Sequence, residues 1–372
     1  MKEENQQVRE GNDACASSLI PHPSSLSGRV LVLYNEPVLP AGHPNYESEH
    51  EILITVAAVH QALVQAGFET VPLGVQKDFR VLLAGLRDIQ PDVVFNLYEG
   101  TADQGFSEAH VAGVLDWLGV PFTGSPFPAL SLCRSKHLTK RIFQGAGLPT
   151  PEFFVVEQLP VPRCPLSWPV IVKPAEQDAS VGLDQGSVVS NQERLNERVS
   201  LVLDTFGPPV LVEQFIPGRE LTAAVIESPN LQVLPLAELL FEGLSPSSWP
   251  IYTYEGKWTP GSPDYEATAR HPAALSPALA EGLNRLAQRA FRLLGCRDYA
   301  RVDFRVNAAE QPYLLEVNPN PDLNPNLGLA DNLAAVGITH AQFTAALVWG
   351  ALRRGHQAAT MKVAYRGDKM TR

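Results

Sequence analysis

The sequence is poor in the features that mark several large classes of protein. Its four cysteines, Cys15, Cys133, Cys164 and Cys296, stand alone. Without a CxxC pair, neither a zinc knuckle nor a disulfide framework is indicated. No apolar run reaches the roughly 18 residues that a membrane helix needs. The opening MKEENQQVRE carries acids and amides and no apolar core, so it does not read as a secretory signal. A cytoplasmic location, with no membrane partner, is the resulting expectation. Basic charge is also scarce: Lys and Arg number 29 against 40 Asp and Glu, a net charge of −11. That balance argues against a nucleic-acid partner, although it leaves room for a locally basic pocket. There is no GxxxxGK[ST], no HExxH, no GxSxG, and no GxGxxG after the first strand. Asp322-Leu-Asn324-Pro-Asn326-Leu-Gly328 looks like a calcium loop at first sight. Its glycine is one place late, Pro325 interrupts it, and Leu333 stands where a bidentate Glu belongs, so it is rejected. His50, His60 and His110 fall on helices with no ligand at i+4 and receive no role.

What is present describes a folded chain of several domains. Apolar residues make up 45% and charged residues 19% of 372 positions, enough for two or three cores. Residues 1–27 are polar and read as a disordered tail. ArgValLeuValLeuTyr (29–34), ThrValProLeu (70–73) and AspValValPheAsnLeuTyr (92–98) read as strands, with helices at 49–66 and 79–89 between them. A further helix is predicted from Ser107 as cap to Gly119, with Val111, Val114, Leu115 and Leu118 on one face. Strand–helix alternation means a parallel, doubly wound sheet, here assigned to residues 28–125.

A second unit, 126–208, should be a small α+β lid. It has a basic helix at 135–145, the strand ProValIleValLysPro (169–174) and a helix at 191–205, and ProValLeuValGluGln (209–214) supplies the next strand. The third, 209–355, should hold a mostly antiparallel sheet from strands at 220–227, 232–241, 299–306 and 312–318. One helix packs on it, capped by Ser276, with Pro277 at its first position. Residues 356–372 are expected to be a tail.

The hairpin 299–318 carries the densest chemistry. TyrAlaArgValAspPheArgVal places Arg301, Asp303 and Arg305 on one face. TyrLeuLeuGluValAsn places Leu314, Glu316 and Asn318 on one face and Tyr313, Leu315 and Val317 on the other. Asp303, Glu316 and Asn318 can therefore converge, and such oxygen donors suit Mg²⁺; the same pattern also serves a solvent face with an Arg–Asp pair. Lys173 ends an apolar strand before a small-residue loop, ProAlaGluGlnAspAlaSerValGly, and suits phosphate as readily as it suits snorkelling. Glu213 and Glu220 can accept from an adenine amino group or a ribose hydroxyl, or be surface acids. Lys136 and Lys140 share a helix face at i, i+4, with Lys136 the candidate phosphate ligand.

Taken in order, these segments resemble the ATP-grasp superfamily, and within it the D-alanine–D-alanine ligases and their relatives, over about residues 29–350. The resemblance rests on ThrGlySer (123–125), SerLys136, AlaGlyLeuProThrPro (146–151), IleValLysProAla…SerValGly (171–182), ValGluGlnPheIleProGlyArgGlu (212–220), TyrGluGlyLysTrp (254–258), ArgValAsp (301–303) and GluValAsn (316–318). It implies a Rossmann-like first domain, a central lid and a catalytic antiparallel domain. It implies ATP and two Mg²⁺ ions, with Mn²⁺ as a substitute. Lys136, Lys173 and Lys257 would hold the phosphates. Glu213, with the backbone of Gln214 and Ile216, would read adenine, and Glu220 the ribose. Asp303, Glu316 and Asn318 would bind the metal, while Arg301, Ser180 and Lys257 would serve catalysis. Small amino acids are the implied partners, and a homodimer is left open.

The resemblance has local breaks. Where the family carries a Gly-rich turn after its first strand, this chain reads TyrAsnGluProValLeuProAlaGlyHisPro (34–44). Glu49 is the best match for the glutamate that holds the first substrate's ammonium. Tyr98-Glu99-Gly100 replaces a His-Gly, and Ala179 replaces the first serine of the phosphate loop. Asp322 stands near a family glycine and Leu327 where a serine meets the acceptor's carboxylate. Two rivals remain at this level: a nucleotide-binding module without turnover, and a dehydrogenase, which would need the missing dinucleotide fingerprint.

Overall fold

The computed structural model describes residues 28–43, 46–100, 105–228 and 230–369, without the side chains of 47, 48 and 358–369. The tail expected at 1–27 lies outside the described residues. β1 (Arg29–Asn35), α1 (Tyr46–His50), α2 (Ile52–Gln65), β2 (Glu69–Val75), α3 (Phe79–Ile89), β3 (Val93–Leu97) and α4 (Ser107–Leu118) form the first unit. Its strands run in the order β2-β1-β3, all parallel. Val30 to Leu33 are wholly buried, as befits a strand covered on both faces. One face packs under α2, and the other under α3 and α4. Asp78 caps α3 by accepting from Arg80 N at 3.0 Å, and Gly119 ends α4 in the left-handed region at φ +69°. Two expectations shift here. Phe106, not Ser107, occupies the cap position of α4, and Ser107 is already helical. The helix expected at 49–66 is divided at Glu51.

α5 (Phe127–Arg134), α6 (Lys136–Gly145), β4 (Phe153–Val156), β5 (Val170–Pro174), β6 (Val188–Val189), α7 (Gln192–Phe206) and β7 (Val210–Gln214) follow. The four strands pair antiparallel in the order β4-β7-β5-β6. α7, capped by the Asn191 side chain on Arg194 N (2.9 Å), seats Leu195, Val199 and Val202 against Val170, Val172, Val210 and Val212. The opposite face of this sheet carries Ile171, Lys173 and Glu213.

The last part comprises β8 (Arg219–Ile226), β9 (Gln232–Val233), β10 (Ala237–Phe241), α8 (Tyr254–Trp258), α9 (Pro263–Glu266), β11 (Thr268–Pro272), α10 (Pro277–Leu293), β12 (Tyr299–Val306), β13 (Pro312–Asn318), α11 (Gly328–Ala334) and α12 (His340–Lys369). Its sheet runs β11-β10-β8-β12-β13, with β9 beside β8. The strand expected over 232–241 is split, because Pro235 has no N–H to continue the ladder. The segment expected as a tail from 356 is helical as far as Lys369. α10 begins as expected, with Ser276 Oγ accepting from Leu279 N at 3.3 Å. It buries Leu279, Leu283, Ala287, Ala290 and Phe291 against Leu221, Ala223, Val302 and Phe304.

Asp298 fastens the first unit to this sheet. It is 6% exposed, sits at φ +65°, and accepts from Gly124 N (2.8 Å), Arg354 Nη1 (2.7 Å) and Arg354 Nη2 (2.9 Å). A left-handed backbone is unfavourable for any residue with a Cβ, so these bonds hold the turn against its intrinsic preference. Asp298→Ala should lower stability by about 2–3 kcal/mol, because it leaves a half-buried guanidinium and a buried N–H without their acceptor. Asp298→Gly should recover about 1 kcal/mol of that loss by relieving the backbone. Urea midpoints of the three proteins test this; equal midpoints for the Ala and Gly variants would show that the turn stores no strain.

Candidate functional site

Strand register decides which side chains meet. Across the last sheet, Arg270, Leu239, Glu220 and Arg305 lie opposite one another from strand to strand; so do Ala237, Thr222, Asp303 and Glu316, and likewise Ala224, Arg301 and Asn318. Directly opposed residues share a face, so these rows form a single surface. That surface floors a crevice of about 830 Å³, roofed by Ile171, Lys173, Glu213 and Phe215 of the four-stranded sheet.

The expected alternation of β13 is corrected by a bulge. Asp303 opposes Glu316, whereas Phe304 opposes Leu314, so Leu315 is the extra residue. Leu314 is therefore wholly buried in the core beside Phe304 and Val317, where a place beside Glu316 was expected, and Leu315 lines the crevice. The bulge leaves Glu316 and Asn318 on the face of Asp303.

Most charges in the crevice are paired. Arg301 grips Asp303 through Nε to Oδ1 (2.8 Å) and Nη2 to Oδ2 (2.8 Å). Lys136 Nζ donates to Asp178 Oδ1 (2.9 Å) and Gln177 O (2.6 Å) and lies 3.3 Å from Glu316 Oε2. Burial alone would push the Glu316 carboxyl up, but Lys136, Arg301 and Lys173 outweigh it and pull it down to about 2. Lys136 is raised in turn, Asp178 and Glu316 overcoming its burial. Asn318 Oδ1 accepts from Asn320 N at 2.9 Å. Glu220 lies 3.3 Å from Arg305, which also stacks on Phe215. Burial raises the Glu220 carboxyl, with Arg305 opposing.

Glu213 is 1% exposed, its carboxylate clamped between Lys140 and Lys173, the latter at 3.0 Å. Burial would raise this carboxyl; the two lysines overcome it and hold it below the usual range. Lys140, to which the sequence assigns no role, is 1% exposed and donates to Thr150 Oγ1 at 2.8 Å. Sequence spacing puts it on the face of Lys136, but only the pairing of β4 with β7 shows that this face is covered. Gln214 uses its N–H on Glu152 O (2.8 Å), and its side chain and Ile216 line the crevice.

The loop after β5 touches α8. Trp258 Nε1 donates to Ala179 O at 3.0 Å, and Tyr254 N to Leu183 O at 2.9 Å. Ala179 and Ser180 both sit in the left-handed region, at φ +55° and +63°. Lys257 lies over the Trp258 ring, and burial together with Arg301 lowers its amine.

At the far end, Glu49 lines the crevice but spends Oε2 on Val38 N (3.0 Å) and Leu39 N (2.7 Å). Glu51, which carries no signal in the sequence, instead accepts from Asn324 Nδ2 at 3.2 Å. Asp322 accepts from Thr55 Oγ1 (2.9 Å) and Asn324 N (2.8 Å), and Asn324 Oδ1 accepts from Asn326 N (3.0 Å). The run that mimics a calcium loop is thus a series of Asx turns. Glu99 is exposed where it lines the crevice; the crevice walls and Asp322 push its carboxyl up.

Asp303, Glu316 and Asn318 gather two carboxylates and an amide oxygen on adjacent strands. This is a hard-oxygen set, and Glu316 stays ionised at any working pH. The set fits a divalent cation that completes its shell with phosphate oxygens. Among the described residues, no cluster of three or more His, Cys, Asp or Glu offers a fuller metal site.

A family model described as D-Ala–D-Ala ligase C-terminus matches residues 142–349. The chain is 32% identical over 313 residues to a D-alanine–D-alanine ligase of Synechococcus, covering 81% of this chain and 89% of that protein. It is 35% identical over 296 residues to one of Desulforudis audaxviator, covering 78% and 90%. An uncharacterised protein of Sinorhizobium fredii is 32% identical over 307 residues, covering 81% and 94%. Among solved structures, a D-alanine–D-alanine ligase of Bacillus anthracis complexed with ATP superposes with a TM-score of 0.70 at 20% identity, covering 89% of this chain and all of that one. At that identity the likeness speaks for the fold.

Burial, with Asp178 near, pushes the Glu108 carboxyl up to about 8, against the pull of Arg134. In the unfolded chain a glutamate ionises near ~4.3. Between these values the folded protein holds a proton that the unfolded chain has lost, so stability falls as pH rises, by up to about 1.4 kcal/mol per pH unit. Glu108→Gln should flatten this limb in urea melts at pH 5, 6, 7 and 8. An unchanged slope would place the titration elsewhere.

Proposed function

The chain belongs to the family of the D-alanine–D-alanine ligases, and on that footing we propose that it is an ATP- and Mg²⁺-dependent ligase. It joins the carboxylate of one small amino acid to the amine of another, through an acyl phosphate, and a D-alanyl dipeptide or a related dipeptide is the product. A cytoplasmic place of action belongs to the same reading. One observation carries the proposal: Asp303, Glu316 and Asn318 share a crevice with Lys136, Lys173 and Lys257. Phosphoryl transfer needs positioning and charge neutralisation more than covalent help, and these are the parts that supply them.

Adenine lies against Ile216 and Gln214, under the buried Glu213. The ribose meets Glu220, which Arg305 orients. Lys136, Lys173 and Lys257 face the phosphates, and each is already held by a neighbour that keeps it aimed. Asp303, Glu316 and Asn318 hold the Mg²⁺. When bound, the metal supplies charge neutralisation on the phosphate oxygens. The first substrate's carboxylate attacks the γ-phosphorus, and ADP departs. Its ammonium belongs at the acidic end, where Glu49, Glu51 and Asp322 lie.

The second substrate's amine then attacks the acyl carbon. Arg301, fixed by Asp303, faces the oxyanion that develops, and inorganic phosphate leaves as the amide forms. Ala179 and Leu183, on either side of the crevice-lining Ser180, meet Trp258 and Tyr254 over the crevice. That roof keeps water from the acyl phosphate, which it would hydrolyse.

With ATP, Mg²⁺ and an amino-acid panel, phosphate release should appear together with an amide product in mass spectra. Glu316→Ala should abolish ADP formation while circular dichroism stays unchanged; normal turnover would defeat the metal assignment. Arg301→Ala should reduce amide yield by about 10²–10³-fold, the usual loss for an oxyanion donor. A variant that makes amide as well as the parent protein would remove Arg301 from that role.

A further inference from the structure

Two cations of the crevice stand close in sequence and share one carboxylate. Arg134 ends α5 and Lys136 begins α6. Asp178, in the loop after β5, accepts from Arg134 Nη1 at 3.1 Å and from Lys136 Nζ at 2.9 Å. All three line the crevice, but they are unequal. The side chains of Arg134 and Lys136 are 12% and 11% exposed, whereas that of Asp178 is 47% exposed.

Lys136 has two further oxygens, Gln177 O at 2.6 Å and Glu316 Oε2 at 3.3 Å. Arg134 has fewer partners. Among the described residues its one hydrogen bond is to Asp178, and its Nε is buried without an acceptor. Glu108 Oε2 stands 4.0 Å away, and burial raises that carboxyl to about 8, so at neutral pH it lends little charge.

The guanidinium is nonetheless held in place. It lies 5.5 Å over the Phe106 ring, and a Cβ built on Gly105 would fall 1.6 Å from its Nη2. A largely buried guanidinium, fixed between a ring and a glycine and with N–H groups to spare, suits an anion that brings several oxygens. Asp178 gives each cation only one oxygen. It does so from a half-exposed loop, where a carboxylate can turn into water with little loss.

We propose that Arg134 and Lys136 together seat the triphosphate, and that Asp178 competes with it for both. The inference rests on the ligase reading given above and deepens it, since Arg134 becomes a fourth basic side chain for the phosphates. A phosphate oxygen bonded to Lys136 stands beside the Asp178 carboxylate, and like charges so placed repel. The polyanion offers more charge and more oxygens than one aspartate, so it displaces Asp178 towards solvent. The apparent affinity for nucleotide is lowered by the fraction of molecules in which Asp178 holds the seat.

The test is calorimetric titration with adenylyl imidodiphosphate, an ATP analogue that resists hydrolysis, in Mg²⁺ and again in EDTA. It compares the parent protein with Asp178→Asn, Asp178→Glu and Arg134→Met, and with Arg134→Met and Arg134→Lys made in the Asp178→Asn background. Asp178→Asn should bind the analogue about tenfold more tightly in both buffers, and Asp178→Glu no more tightly than the parent. Arg134→Met should weaken binding by about tenfold in the Asp178→Asn background, with Arg134→Lys recovering part of that loss. In the parent it should weaken binding less, because there it also loosens the competitor. Adenosine, which has no phosphate, should bind every variant equally, and so reports that each is folded. Unchanged or weaker analogue binding in Asp178→Asn would overturn the proposal; a loss seen only in Mg²⁺ would make Asp178 a ligand on the metal's side. An equal gain for adenosine would overturn it too, placing the effect in the loop's shape instead of its charge. Unaltered binding in Arg134→Met on the Asp178→Asn background would remove Arg134 from the seat. Amide formation by the parent, with the affinity of Asp178→Asn unchanged, would defeat this inference and keep the ligase reading. Tighter analogue binding in Asp178→Asn, with no amide from any amino acid, would do the reverse.

Discussion

Everything in the crevice depends on how β12 pairs with β13. The two strands contribute Arg301, Asp303, Glu316 and Asn318, and pairing alone determines whether those groups meet. A slip of one residue would turn Glu316 and Asn318 into the core and bring Val317 out. The bulge at Leu315 prevents a related failure. Strict alternation continued through this point would put Leu314 beside Glu316 on the polar face and leave a hole beside Phe304. The extra residue lets one strand keep both a continuous apolar row against α10 and a continuous polar row over the crevice.

The second constraint is electrostatic. Burying many charges in one crevice is costly unless each finds a partner. Most do so within the protein: lysines and arginines from α6, β5 and β12 lean on Asp178, Glu213, Glu316 and Asp303. These pairs have two consequences. They hold the cations in fixed positions along the crevice, and they hold Glu316 ionised at any working pH. Glu213 is the extreme case, a carboxylate with almost no exposure that anchors two lysines from different elements. Its burial also joins α6 to the four-stranded sheet, so part of the crevice lining is part of the frame.

Much of this arrangement is legible in the order of residues along the chain. The strands of the first unit, the lysine at the end of β5, and the alternation through Arg301 and Asp303 are local patterns, visible within a window of about ten residues. The helix α10 announces itself through Ser276, Pro277 and its apolar stride. What is not legible has no local mark. Lys140 sits four places from Lys136 on a helix face whose covering the sequence does not mark; a strand pairing some 70 residues further on is what covers it. Glu51 differs from Glu49 only by direction along a helix that the sequence presents as one piece and the structure divides. The split of 232–241 is readable, since Pro235 cannot donate to a ladder, yet the apolar run around it conceals the break.

The sequence by itself therefore determined the repertoire: which residues can bear charge, which segments repeat with the period of a strand or a helix, and in what order the chemically equipped segments occur. Tertiary structure alone decided which of them are neighbours. Lys140 meets Glu213, and Arg134 meets Asp178, across separations for which no periodicity exists. The physical reason is that periodicity reports the direction of a side chain relative to its own element. Burial, charge pairing and the shape of a cavity belong to two or more elements at once.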